Sequence, residues 1–480
     1  MVHQSTGRID RRTFLAGAGG VIAAGLLPRG AGADTPRRLV LAETENTLVG
    51  APHPKTRVWS YNGMVPGPEL RFKQGERLTI EVENRLPQET TVHCHGIRMP
   101  NAMDGVPHLT QKPIGRSETF TYSFELPDAG TYWYHPHMLS SEQVGRGLYG
   151  PLIVEEREPI TVDRELTWVL DDWRLTPDAQ IDDGFGNMMD ASHAGRIGNT
   201  VTINGRVPDT IDVQRGERVR LRLINAANAR IFGLEFAGHE PMVVAYDGQP
   251  VEPHKLPGDR LELGPAMRAD LVIDMLGKPG ERFTITDSFY RQQAYRLVDL
   301  VYAGGPLRDR PLEASIALPA NPVPGPDLAS AVRHDIVFQG GMMGMMIERE
   351  MRGGSGMGMG GMGAMRDMMH SGRIWRINGV AAEGHVMKPM LTLARGRTHV
   401  LAMTNMTAWP HPIHLHGYSF RVISRNGAPT PRREWQDTVL MSPRERVEIA
   451  FVADNSGDWM FHCHILEHQA AGMMGVIRVA

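Results

Sequence analysis

The stretch His462-Cys463-His464-Ile465-Leu466-Glu467-His468-Gln469-Ala470-Ala471-Gly472-Met473 decides how the rest of the chain is read. A thiolate flanked by imidazoles, with a thioether five residues past the last of them, is a donor set that suits copper. A Cys sulfur, two imidazoles and a weak axial Met make the trigonal blue-copper arrangement. Cys463, His468 and Met473 supply three of those four donors from one strand and the loop after it, so the second imidazole has to come from elsewhere. Residues i and i+2 of a strand share a face, which sends Cys463 to one side and His462 and His464 to the other.

Three further clusters offer candidates: His93-Cys94-His95-Gly96, His135-Pro136-His137, and His411-Pro412-Ile413-His414-Leu415-His416-Gly417. Each holds an H-x-H pair, which on a strand can clamp one metal ion or bridge two. A single pair is commonly an ordinary surface feature. Four pairs, one interleaved with Cys, are not.

The clusters sit inside an internal repeat of three units. The units open on Tyr61-Asn62-Gly63, Ile203-Asn204-Gly205 and Ile377-Asn378-Gly379, then reach Gly75, Gly216 and Gly396, and nine residues later Asn84, Asn225 and Asn405. Nine residues further lie His93 and His414 in the outer units but Leu234 in the middle one; two beyond these come His95, His416 and Phe236. Gly130 and Gly457 each precede an H-x-H by five residues, so His135 aligns with His462, His137 with His464, and Pro136 with Cys463. The first and third units therefore contribute two H-x-H strands each, and a pseudo-twofold interface between them would gather eight imidazoles. The middle unit, stripped of ligands, reads as a spacer.

Eight imidazoles exceed what one ion takes, and four-electron reduction of dioxygen needs several redox metals close together, so a three-copper cluster fits the count. With these motifs the chain resembles the multicopper oxidases, the family of laccases, bilirubin oxidases and bacterial cuprous oxidases, from about Val40 to the C-terminus. The resemblance implies an all-β chain of three consecutive cupredoxin-like Greek-key β-sandwich domains. It also implies four copper ions. His411, Cys463 and His468 would ligate the type 1 copper with Met473 axial, and His93 and His414 the type 2 copper. One type 3 copper would lie on His95, His135 and His464, the other on His137, His416 and His462. Catalytic roles fall to Cys463, which links the electron port to the cluster, and to Asp104, which resembles the family's acidic residue near the type 2 copper and would orient water and deliver protons. Where similar bacterial members carry Glu after the last His, this chain has Gln469, an amide that cannot relay a proton. Strand alternation turns Glu467 away from that role. Cys94 reads as a small buried hydrophobe rather than a ligand or a disulfide partner.

Arg11-Arg12-Thr13-Phe14-Leu15 ahead of the apolar run Ala16 to Leu27, with Ala31-Gly32-Ala33 closing it, reads as a twin-arginine signal peptide over residues 1–33. Its run is short of the roughly 20 residues a membrane span needs. The chain is therefore expected to be exported in folded form to the periplasm by the twin-arginine machinery, with no stable membrane insertion. A formal charge of −3 over 480 residues gives no electrostatic reason for nucleic-acid binding.

Alternating, β-branched runs such as Arg77 to Glu83 and Arg218 to Ile224 predict half-buried strands, and helices should be few and short. The domains are placed at residues 34–157, 158–310 and 331–480, joined into the third by a linker over 311–330 that contains the Pro-rich stretch Leu318 to Asp327. Within the third, residues 342–369 hold eleven Met among Gly residues, closed by His370. Gly353-Gly354 and Gly360-Gly361 break any regular element, so the insert reads as a mobile loop whose soft thioethers favour Cu(I). The expected reaction couples one-electron oxidation of Cu(I) to reduction of O2 to water. The alternative is a laccase-like oxidase of phenols, aromatic amines or bilirubin-like pigments, which needs only access to the edge of His468 or His411. A copper nitrite reductase would place its blue-copper Cys in the first domain, and a storage protein on this fold would lack ligands.

Overall fold

The structure, a computed structural model, describes residues 37–351, 372–384 and 388–480. The expected signal peptide and Met357 to His370 lie outside the described residues.

Each repeat unit builds two sheets. In the first, strands Thr56–Tyr61, Arg37–Asn46, Arg77–Asn84 and Thr119–Glu125 pair in that order, and Leu70–Lys73, Gly150–Glu155, Gly130–His135 and His93–His95 form the second sheet. The middle unit has a six-stranded sheet beginning Thr200–Ile203, Arg164–Trp173, Arg218–Asn225 and Arg268–Asp274, and a five-stranded partner. In the third, Trp375–Ile377, Val332–Gly340, Thr398–Asn405 and Arg446–Val452 head the first sheet. Leu391–Leu393, Met474–Val479, Gly457–Cys463, His411–Leu415 and Thr438–Met441 form the second. The same parallel pairing recurs at the heart of all three: Arg37–Asn46 with Arg77–Asn84, Arg164–Trp173 with Arg218–Asn225, and Val332–Gly340 with Thr398–Asn405. Strands dominate, helices are few, and the all-β, cupredoxin-like expectation holds.

The repeat anchors have structural causes. Asn62, Asn204 and Asn378 all take positive φ (55°, 52° and 50°) in tight turns, and each side-chain oxygen accepts the N–H of a neighbouring strand residue, Val40, Val169 or Val337. Asn tolerates that conformation better than other residues with a side chain. Asn84, Asn225 and Asn405 are buried corners. Each donates to two carbonyls (Gln88 and Ile114, Arg230 and Leu263, Trp409 and Ser442) and accepts the N–H two residues on. That corner aims the loop that follows at the next strand, which in the outer units carries the imidazoles.

Two expectations change. Arg218–Asn225 is buried on both faces, not one. Its arginine side faces carboxylates of the first and middle units: Arg220 pairs with Glu156 (2.6 Å) and Asp270 (2.7 Å), and Arg222 with Asp270 (3.0 Å) and Glu165 (2.8 Å). Buried charges persist only when paired in this way. The Met-rich insert is not loop throughout, because Gly344–Met351 is an α-helix that buries Ile347. Gly353-Gly354 and Gly360-Gly361, expected to break regular structure, lie outside the described residues. No helix among the described residues is long and apolar enough to cross a membrane.

Candidate copper centres

Cys463 ends the strand Gly457–Cys463, beside Ile413 of the strand His411–Leu415. Its Sγ lies 3.4 Å from His411 Nδ1 and 3.7 Å from His468 Nδ1, and those two nitrogens are 3.2 Å apart. The far nitrogens are held by protein acceptors: His411 Nε2 by Thr407 Oγ1 at 2.8 Å, and His468 Nε2–H by the carbonyl of His193 at 2.7 Å. Both rings thus turn Nδ1 toward the sulfur. Met473 is buried in the same core, and its backbone ties to Cys463 and His468, with its carbonyl accepting from Cys463 N–H and its N–H donating to the His468 carbonyl.

On the opposite face of the Cys463 strand, the imidazoles of the first and third units converge. His93 stacks on His416 (ring centroids 4.1 Å apart) and His95 on His414 (3.8 Å). His464 lies 5.1 Å from both His95 and His135, and His137 lies 5.3 Å from His462 and 4.8 Å from His416. Donor atoms of His137, His416 and His462, of His93, His95 and His135, and of His411, Cys463 and His468 fall in groups compact enough for a metal ion. All eight cluster rings are buried. The structure therefore brings together the eight imidazoles of the four H-x-H pairs.

The nitrogens inside this cluster fit metal. His93 Nδ1, His135 Nδ1 and His414 Nδ1 are held by the carbonyls of Asp104 (2.7 Å), Pro136 (3.1 Å) and Asp437 (2.8 Å), while the Nε2 of each is buried with no hydrogen-bond partner. His95 is reversed: Nε2 meets Asp437 and Thr438, and Nδ1 is the orphan. His137 and His464 have neither nitrogen partnered. Such buried orphans are costly unless something binds them. Burial, reinforced by neighbouring imidazoles, pushes His95, His135, His137, His416 and His464 well below the ordinary histidine value, and burial brings His468 down to about 3. Neutral imidazole is the form that ligates metal. Burial raises the Cys463 thiol, so a cation must draw off its proton.

Asp104 is fully buried, and its carboxylate accepts from His416 Nδ1 at 2.9 Å, lying 3.3 Å from His93 Nδ1. It thus touches two imidazoles of the cluster. Cys94, its thiol pushed up to about 12 by burial, packs in the first unit's apolar core, and neither cysteine forms a disulfide.

Two readings are corrected. Glu467 is buried, because Leu466–Ala470 is a short helix and strand alternation does not apply there. Its carboxylate accepts from Arg196 N–H (3.0 Å) and Asn228 Nδ2 (2.9 Å), pointing into the middle unit, and burial raises its pKa. The middle unit is more than a spacer, since its carbonyl at His193 and its Arg268 both touch the copper-side residues. The edges of His411 and His468 are 0% exposed, covered by Trp375 (centroids 5.1 and 4.2 Å away) and by the segment carrying His193. A cavity of about 760 Å³ between the middle and last units, lined by residues including Tyr246, Arg260, Arg425 and Leu440, includes none of the candidate ligands. Asp437, Thr438, Thr407 and His193 were not legible beforehand. They are single polar residues on strands and loops with no spacing to mark them.

Three segments match multicopper oxidase family profiles, at residues 43–159, 164–311 and 363–480. The chain belongs to the multicopper oxidase family. It is 33% identical to the multicopper oxidase MmcO of Mycobacterium tuberculosis over 86% of this chain and 81% of that one. To copper resistance protein A of Escherichia coli it is 26% identical over 92% of each chain. The crystal structure of a multi-copper oxidase from Pseudomonas thermotolerans superposes with a TM-score of 0.81 at 33% identity, covering 93% of this oxidase and 99% of that chain. The protein is accordingly an oxidoreductase that uses copper.

Proposed function

We propose that this oxidase is a periplasmic cuprous oxidase that couples oxidation of Cu(I) to four-electron reduction of O2, with overall stoichiometry 4 Cu(I) + O2 + 4 H⁺ → 4 Cu(II) + 2 H2O. In this reading four bound coppers supply the redox chemistry, one accepting electrons beside Cys463 and three handling dioxygen among the imidazoles. His411, Cys463, His468 and Met473 would hold the first. His93 and His414 would hold the type 2 ion; His95, His135 and His464 would hold one type 3 ion, and His137, His416 and His462 the other. Cys463 and its two flanking imidazoles form one covalent bridge between the centres. The Asp104 carboxylate orients His416 and is placed to move protons into the cluster. The twin-arginine motif at Arg11-Arg12 supports export.

The choice of substrate is carried by the cover over His468. Methionine-bearing segments from two units meet there: Met342 N–H donates to Ser192 O at 2.8 Å, next to Met188, Met189 and His193. Soft thioethers suit a cuprous ion, whereas an aromatic donor finds no exposed imidazole edge. The name of the Escherichia coli relative, a copper resistance protein, points the same way. Steady-state oxygen uptake with Cu(I) and with a phenol, before and after replacing the eleven methionines of residues 342–369 by leucine, tests the reading. Cuprous turnover should fall far more than phenol turnover. Equal losses would favour a laccase-type oxidase.

A further inference from the structure

The middle unit has lost its copper ligands, yet it sends one fully buried cation to the cluster. Arg268 starts the strand Arg268–Asp274 and grips the Asp437 carboxylate with both ends of its guanidinium, Nη1 to Oδ1 at 2.8 Å and Nη2 to Oδ2 at 2.6 Å. Two further donors go to the carbonyls of Thr131 (3.1 Å) and Ala266 (3.1 Å), so the fork is fixed in place. Asp247 completes the frame: Oδ1 accepts Arg268 N–H at 2.9 Å, and Oδ2 accepts the N–H groups of Asp437 and Thr438, both at 3.1 Å. A β-carbon at Gly96, whose φ is +88°, would overlap both Arg268 Nη2 and Asp437 Oδ2. The glycine after His95 therefore makes room for this ion pair.

The pair ends on copper-side imidazoles. Asp437 Oδ1 and Thr438 Oγ1 each lie 3.1 Å from His95 Nε2, and the Thr438 hydroxyl donates its own proton to Asp437 Oδ1 at 2.8 Å. Both atoms facing His95 Nε2 are thus acceptors, so that nitrogen carries the proton and Nδ1 keeps its lone pair for the cluster. Among the described cluster rings with a protein acceptor, His95 alone is held through Nε2; His93, His135, His414, His416 and His462 are held through Nδ1.

We propose that Arg268 is a positioning residue for the oxygen-reducing cluster: through Asp437 and Thr438 it fixes His95 as the Nε2–H tautomer and so turns Nδ1 toward metal. Removing the fork frees the Asp437 carboxylate to rotate away from His95. The inference rests on the copper-cluster reading above, and the test separates the two. In the metal-free chain, ¹⁵N-histidine NMR should show His95 as Nε2–H in the parent and a mixture of tautomers in Arg268→Gln. Copper titration should then show cluster affinity about 10–100-fold weaker in Arg268→Gln, the usual cost of losing a group that orients a ligand. The blue absorption of the Cys463 site should persist, and Arg268→Lys, which keeps the charge but not the fork, should fall between the two. Should Arg268→Gln fail to fold, Thr438→Val, which deletes one neutral acceptor, must still weaken cluster copper. An unchanged His95 tautomer with unchanged copper affinity, in whichever of these variants folds, overturns the proposal. A parent protein that takes up no copper at the imidazole cluster would instead overturn the cluster reading, whatever the tautomer of His95.

Discussion

At the scale of single residues, Cys463 and the ten histidines around it form one buried assembly. Cys463→Ser should abolish the blue absorption and oxidase turnover while leaving the imidazole cluster able to load copper, which metal analysis and electron paramagnetic resonance would show. The metal-free protein should be acid-sensitive for a related reason. Burial depresses the folded-state pKa of His95, His135, His137, His411, His414, His416, His464 and His468, the last to about 3, so below roughly pH 6.5 the unfolded chain binds protons that the folded one refuses. The stability contributed by their neutral burial is present above about pH 6.5 and lost progressively as pH falls toward 3. A metal-free melting temperature that holds steady between pH 7 and pH 4 would contradict this. The convergence of the imidazoles was legible in the sequence because H-x-H spacing on a strand is itself a geometric statement. Arg268 and Asp437 were not, because partners 169 residues apart leave no local pattern.

At the scale of elements, the three corner asparagines explain why the repeat could be aligned at all. Each makes the same set of bonds, so each unit keeps an Asn there whether or not histidines follow it. Asn405→Ala takes one of two donors from each of the carbonyls of Trp409 and Ser442 and strands the buried N–H of Thr407, and should cost about 1–3 kcal/mol in denaturant unfolding. A loss below about 1 kcal/mol would mean that the loop finds other partners. Strand periodicity served less well where an element is very short or doubly covered. The five-residue helix Leu466–Ala470 has too few turns to show a period, which is why Glu467 was read as facing away. The arginines of Arg218–Asn225 looked like a wet face because the carboxylates that bury them come mostly from other strands and another unit.

At the scale of the whole molecule, the units are joined by ion pairs and by the imidazole cluster that the first and third units share. Arg220 receives Glu156 from the end of the first unit, and Glu156→Ala leaves a buried guanidinium short of a partner. Breaking such a pair should destabilise the chain by about 3–5 kcal/mol in denaturant unfolding. Copper removal should lower the melting temperature as well, since a ligand that binds only the folded state stabilises it by mass action. The cluster's imidazoles come from residues 93–137 and 414–464, at opposite ends of the sequence. A nascent chain halted on the ribosome before His411 would hold at most four of the eight and no thiolate partner, so synthesis has to finish before metal can be captured in full. Maturation is thereby postponed until translation is over, and half-made protein makes a poor trap for the cell's copper.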